Sequence, residues 1–387
     1  MVGEGGGKDH PRISNERPTV TTPPALAIKD RDDTQFDMVA LGEVMLRLDP
    51  GESRIRDARS FSTWIGGGEY NVAHAISRTF GLRSAAATAL VQNDVGSLIE
   101  SLMMSGGVDT SWITWVPYDG TGRTSRNPLN FTERGFGVRR TKGISDRAHS
   151  PMSQLRRGDI EWQTLFADAG VRWLHTGGVC TTLSAHSADM TLEAIQVAKS
   201  HGTVVSFDLN YRGSLWRALP AISPTQSRHR EILSTVDVLF GSEEQLRQAC
   251  GLPEADNGEP SFDPSGFKRL VDLTRELFPN VRIIASPLRE LHSTSFNSWR
   301  GVGWSEESGV VVSREFPYMP ILDRVGGGDG FAAGFIYGLL AGRGIQAATQ
   351  LGAAHGALSM TTPGDTSSAS LSEVETLAVG AMPTADR

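Results

Sequence analysis

Cysteine is nearly absent from this chain of 387 residues: Cys180 and Cys250 stand far apart, without a CxxC or His/Cys ligand spacing. That excludes a disulfide framework and a zinc site, and a reducing cytoplasm is the expected setting. Positive charge is not in excess either. Lys and Arg number 37 against 44 Asp and Glu, a net charge of −7, which argues against a general nucleic-acid or anionic-membrane surface and for small-molecule partners. No apolar run approaches the roughly 20 residues that cross a bilayer. The N-terminus also lacks the charged-then-apolar order of a signal peptide, so neither export nor membrane spanning is expected. Two nucleotide signatures are missing as well: no GxxxxGK(S/T) loop occurs, and no GxGxxG follows a strand and opens a helix.

What is present suits one large α/β domain with small attachments. Apolar residues make up 39% and charged residues 21%, proportions of a soluble globular protein with a full core. Residues 1–35 are rich in Gly, Pro, Thr and charge without an apolar period. Such a segment cannot bury enough surface to offset ordering entropy, so an arm disordered in its first part is expected. Residues 36–50 read as the first core strand, ended by Pro50 and Gly51. Residues 66–81 switch to helical spacing, with Val72, Ala75, Ile76 and Phe80 on one side and Gly81 as the stop. A strand at 84–91 follows, then a helix that Asp94 can cap. Strand and helix alternate again at 171–177, 184–200, 203–210, 236–242, 243–250, 266–278 and 281–287, and the chain ends in helices. Repeated βα units predict a mostly parallel sheet with helices on both faces. Residues 111–150, with alternating pieces such as WITWVP and LNFTERGFGV, read as a small β excursion able to cover a site at the strands' carboxyl ends.

Three stretches can carry chemistry. In DRVGGGDGFAAGF (323–335) the amides of Gly326, Gly327 and Gly328 lie unshielded at a helix start, where the dipole's positive end favours an anion. Asp329 sits beside them. It suits a base that takes a proton from a hydroxyl attacking a phosphoryl group, and equally a helix cap worth about 1 kcal/mol. FDLNYRGSLW (207–216) puts Asp208, Asn210 and Arg212 past the end of a buried strand, where Arg212 can grip a carboxylate or phosphate, or pair with Asp208 in a surface loop. In IGGGEYN (65–71) the glycines allow close approach and Asn71 offers a donor and an acceptor to a polyol, the alternative being a tight turn.

The order and spacing of GGGEYN, DLNYR and DRVGGGDGFAAG resemble the ribokinase-like (PfkB) carbohydrate kinases over about residues 36–380. The last stretch is a form of that family's Asp-Thr-x-Gly-Ala-Gly-Asp signature. LGEVMLRLDP, WLHTGG, FDLNYRGSLW and TTPGD look most like its 2-keto-3-deoxygluconate kinase branch. The resemblance implies a ribokinase-like three-layer α/β/α sandwich over residues 36–387, with a mostly parallel sheet and a β lid built from about 44–65 and 111–140. It implies ATP-dependent phosphorylation of a sugar or sugar acid, first among them 2-keto-3-deoxygluconate, with Mg2+.

By the same resemblance Asp329 is the catalytic base and Gly326, Gly327 and Gly328 form the anion hole. Gly66, Gly67 and Asn71 contact sugar hydroxyls, Arg212 faces the sugar acid's carboxylate or the phosphates, and a lid arginine, Arg123 or Arg126, supplies further charge. Ser242, Ser286, Arg289 and Asp323 fall on the nucleotide side, with the GAAHGALSM helix beside the adenine. The family's Asn-x-x-Glu motif falls at GSEEQ, where Ser242 and Gln245 replace both defining residues and leave Glu243 or Glu244 to hold Mg2+ through water. The lid does not show the family's Tyr-x-Arg segment, and Pro287 stands where Thr is usual. Pairing of two copies through the lid is a further implication. A neutral ketose such as fructose, a nucleoside-like substrate, or sugar binding without efficient turnover stays open as an alternative.

Overall fold

The expected first strand over 36–50 is two strands in two different sheets, Met38–Leu41 and Met45–Asp49. Between them Gly42 leaves room for the Glu69 carboxyl, which a side chain at position 42 would overlap. The computed structural model describes residues 26–213, 215, 224–251 and 264–380. Residues 1–25 of the expected arm lie outside these. Residues 26–35, the last part of that arm, are anchored, because Leu26 and Ile28 find apolar partners in the core. The Arg83 guanidinium also donates to the Arg31 and Thr34 carbonyls at 2.9 and 2.8 Å, which satisfies backbone that would otherwise need water.

The strands are β1 (Met38–Leu41), β2 (Met45–Asp49), β3 (Ser62–Gly66), β4 (Ser84–Gln92), β5 (Ile113–Pro117), β6 (Leu129–Glu133), β7 (Lys142–Asp146), β8 (Trp173–Gly177), β9 (Val204–Asp208), β10 (Val238–Phe240), β11 (Ile283–Leu291), β12 (Phe296–Ser305), β13 (Gly309–Val312) and β14 (Phe316–Pro320). Ten of them build one sheet in the order β13-β12-β11-β10-β9-β8-β1-β4-β5, with β14 also paired to β12. From β11 to β5 all pairs are parallel, while β12, β13 and β14 add an antiparallel edge. That edge is missing from the sequence reading because β12 is buried along nearly its whole length and shows no alternation.

Successive residues of the central strands serve opposite faces. Met38 and Ala40 enter one core with Phe331, Phe335 and Leu351, whereas Val39 and Leu41 enter the other with Ile195, Phe207 and Phe267. Helices therefore cover both faces, as strands that are apolar on both sides require. On the first face the helices Gly327–Leu340 and Gly344–Ser359 approach closely. Gly330, Gly334 and Gly338, spaced four apart, meet Ser359, Leu351 and Ala348 at distances that leave no room for a Cβ. The helix Asp94–Ser105 begins one residue earlier than expected in its capping: Asn93, not Asp94, accepts from the Gly96 amide at 3.0 Å.

The second sheet, in the order β3-β2-β6-β7, is the lid. It therefore draws on residues 45–66 and 129–146. Residues 113–117, expected in the lid, instead form β5 at the edge of the main sheet, with Ile113 opposite Thr88 of β4. Apolar Ile113 is buried there, which a lid strand open to solvent would not allow.

Candidate active site

The carboxyl ends of β9, β10 and β11, the turn into the helix Gly327–Leu340, and the lid enclose a cleft of about 1040 Å³. Ligand contacts at strand carboxyl ends are the rule in open α/β sheets. Gly326 caps the helix with φ +82°, and any side chain on it would overlap the Asp365 carbonyl. Gly327 and Gly328 open the helix with amides that have no intrahelical acceptor. No atom lies within 4 Å of where a Gly328 Cβ would sit, so that backbone faces open space.

Asp329 follows in the first turn. Its Oδ2 accepts from Asn71 Nδ2 at 2.7 Å, and Oδ1 has no hydrogen-bond donor among the described residues. Asn71 is delivered by the helix Gly68–Arg78, whose N-cap Gly67 has φ +139°. A Cβ on Gly68 would press to 3.1 Å from Asn210 Nδ2 and 3.3 Å from Asp329 Oδ1, so the third glycine of the GGG run lets the helix start pass beneath the carboxylate. Asp208, at the end of β9, accepts from the Asn210 amide at 2.9 Å. Burial, helped by the charge of Asp208, pushes the Asp329 carboxyl up to about 6. Asp208 is likewise raised by burial to about 6.

A third carboxyl was hidden inside the GGGEYN stretch. Glu69 is 3% exposed, its Oε1 has no hydrogen-bond partner among the described residues, and burial together with Asp329 and Asp208 pushes it up to about 8. Its seat is made by glycines, since a side chain at Gly177 would come within 2.9 Å of Oε1. The only sequence signal was an acidic residue on the buried side of a helix.

Two arginines flank these carboxyls. Arg212 is exposed along the cleft and favours the ionised forms of Asp208 and Asp329. Arg147, which the sequence did not single out, follows β7 and donates from Nε and Nη2 to Glu43 Oε2 at 2.8 and 2.5 Å. Ser150 also donates to Glu43, and between them His149 takes φ +56°, a turn that brings both side chains to the same carboxylate. Arg289 and Arg324 also line the cleft, within electrostatic reach of one another, and neither forms an ion pair among the described residues.

Of the expected site residues, Asp329, Gly326, Gly327, Gly328, Gly67, Asn71, Arg212, Ser242, Glu243, Glu244 and Arg289 come together along this cleft. Four do not line it. Arg123 is exposed in the loop that joins β5 to β6, outside the strands of the lid. Ser286 is fully buried in β11, its hydroxyl donating to the Pro287 carbonyl at 3.2 Å. Gly66 ends β3 against Asp365, with its absent Cβ 2.9 Å from Oδ2. Asp323 turns inward to the buried Arg47 and accepts the Val325 amide at 3.1 Å. Ser242 and Gln245, where the family motif is altered, form a capping box: Gln245 N donates to Ser242 Oγ at 3.3 Å and Ser242 N to Gln245 Oε1 at 2.8 Å.

Residues 35–261 and 299–371 match the pfkB family of carbohydrate kinases. The chain belongs to this family. The kinase resembles the crystal structure of 2-dehydro-3-deoxygluconokinase from Thermotoga maritima, with 31% identity, a TM-score of 0.79, and coverage of 89% of this chain and 99% of that one. It is 28% identical over 342 residues to the 2-dehydro-3-deoxygalactonokinase of Haloferax volcanii, covering 88% of this chain and 95% of that protein. To the 5-dehydro-2-deoxygluconokinase of Clostridium perfringens it is 25% identical over 84% of this chain and 87% of that protein. The ribokinase-like α/β sandwich expected from the motifs is thus the fold of this kinase, and membership in a kinase family implies ATP as the phosphoryl donor. No helix among the described residues is long and apolar enough to cross a membrane.

Proposed function

We propose that this kinase phosphorylates a hydroxyl of a sugar acid, 2-keto-3-deoxygluconate or a close isomer, with Asp329 as general base and the Gly326–Gly328 amides as anion hole. The observation that supports this is that Asp329, the bare helix-start amides of Gly327 and Gly328, Arg147 and Arg212 all line one cleft. Asn71 holds Oδ2 of Asp329 and leaves Oδ1 to take the proton from the attacking hydroxyl. With its carboxyl near 6, Asp329 is ionised at neutral pH yet basic enough to accept that proton. The amides of Gly327 and Gly328 stabilise charge on the transferring phosphoryl group, and Arg289 and Arg324 neutralise the rest of the nucleotide's phosphates.

For Mg2+ the fit is indirect. Glu243 and Glu244 line the cleft, and no group of three or more His, Cys, Asp or Glu among the described residues is arranged to hold a metal. These two carboxylates would hold the ion through water, and it would supply charge neutralisation.

Arg212 and Arg147 supply the charge that an acid group needs, Arg147 keeping donors beyond the two committed to Glu43. Glu69, raised to about 8, is protonated at neutral pH and spares an acidic substrate a third negative charge. The relatives named above, all sugar-acid kinases by name, support the same substrate class. The test is ADP release with 2-keto-3-deoxygluconate, its galacto isomer, fructose, ribose and adenosine. A sugar acid is expected to give the highest kcat/KM. Preference for fructose would hand the cleft to a neutral ketose, and turnover of none would leave a sugar-binding protein.

We also take the enzyme to be cytoplasmic, supported by two free cysteines, and to pair through its lid, supported by edge strand β7, exposed at all five residues with Ile144 among them. Light scattering of Ile144→Lys against the parent chain tests the pairing; an unchanged mass would dismiss it.

A further inference from the structure

Arg47 is a lid residue, carried by β2, yet its side chain is completely buried in the main body. Its Nη1 donates to Asp365, and its Nη2 donates to Asp323 and, at 3.0 Å, to Asp49 of the same strand. The two partners in the main body frame the glycine run. Asp323 accepts the Val325 amide at 3.1 Å, which shapes the turn entering Gly326, and the Asp365 carbonyl packs so closely on Gly326 that no Cβ fits. Leu322 and Asp323 are themselves tied back to the Met360 carbonyl at 3.0 and 3.3 Å, so one guanidinium spans both loops beside the helix start.

We propose that Arg47 is a positioning residue for phosphoryl transfer: from the lid strand it clamps Asp323 and Asp365 and so sets the shape of the Gly326–Gly328 turn, linking lid placement to the anion hole. This rests on the anion-hole role given to the glycines above. A buried charge set is no better for stability than packed apolar side chains of similar volume. What the planar guanidinium adds is direction, because its fork fixes two carboxylates at a set spacing that a point charge would not. The lid strand that covers the cleft and the turn that receives the phosphoryl charge therefore move as one piece. Arg134 extends the link within the lid, its Nε 3.5 Å from Asp49 Oδ2.

The test compares Arg47→Lys, which keeps the charge and loses the fork, with Arg47→Ala, which leaves a guanidinium-sized hole. For Arg47→Lys, kcat is expected to fall at least tenfold while KM for ATP and for the sugar acid stay within about threefold and near-native circular dichroism is kept, the split of a group that acts in the transition state. For Arg47→Ala, millimolar guanidinium is expected to restore part of kcat, which a merely structural loss would not show. Parent-level kcat in Arg47→Lys, or a loss in Arg47→Ala that tracks the unfolded fraction and ignores guanidinium, overturns the proposal. Gly328→Pro removes a single amide where no atom would crowd the ring's Cβ. If that variant keeps parent kcat, the anion hole itself is wrong, whatever Arg47 does.

Discussion

Asn71 and Asp329 lie 258 positions apart in the chain, and one hydrogen bond of 2.7 Å joins them in the wall of the cleft. Among the described residues it is the only side-chain hydrogen bond to the Asp329 carboxylate. It fixes one oxygen and leaves the other to the substrate.

Asp329→Asn keeps the shape of the side chain and removes the base. Turnover is expected to fall by ~10²-fold or more, the usual contribution of a general base, while ATP affinity by calorimetry changes little. If the variant turns over at the parent rate, Asp329 is a helix cap and no more.

The pH profile follows from the buried carboxyls. Asp329 must be ionised to act, and burial lifts it to about 6, so kcat/KM should rise with pH through that value. Asn71→Ala removes the bond that favours the ionised form, and the rising limb should move to higher pH. Glu69, lifted to about 8, adds a negative charge beside Asp208 and Asp329 as it ionises, so a falling limb is expected above that pH and should disappear in Glu69→Gln. Stability moves in the same sense. A carboxyl raised above its unfolded value stabilises the fold fully below about pH 4, and that contribution is lost as pH rises through the folded value. Melting temperatures of the parent should therefore decline between about pH 5 and 8 more steeply than those of Glu69→Gln; parallel curves would show that Glu69 does not titrate in this range.

Ser242→Ala removes the side chain that caps the helix Glu243–Ala249. The expected cost is about 1 kcal/mol in urea unfolding, with kcat at saturating ATP changed less than tenfold. Unchanged stability with a large loss of kcat would instead assign Ser242 to the nucleotide.

Much of the fold was legible because its determinants are local. The apolar period of residues 68–78, Gly81 with φ +65°, and the glycine run before Asp329 all act within a turn or two of backbone. Errors came where a residue's neighbours lie far along the chain. WITWVP has the alternation of a lid strand and joins the main sheet because β4 offers it a parallel edge. Asp323 belongs to the family signature and was expected at the nucleotide, but a buried cation from β2 claims it. Arg123 was chosen from the lid for its charge, whereas Arg147 reaches the cleft through the bend at His149.

By itself the sequence determined the strand and helix alternation, the bare amides at a helix start and the carboxylate beside them, since hydrophobic period, glycine conformation and helix polarity are set within a few residues. Which side chains meet, Asn71 with Asp329, Arg147 with Glu43 and Arg47 with Asp323 and Asp365, was decided only by the order of strands in the two sheets. Charges attract along every direction equally, and only the packed sheets bring one partner into reach and keep the others out.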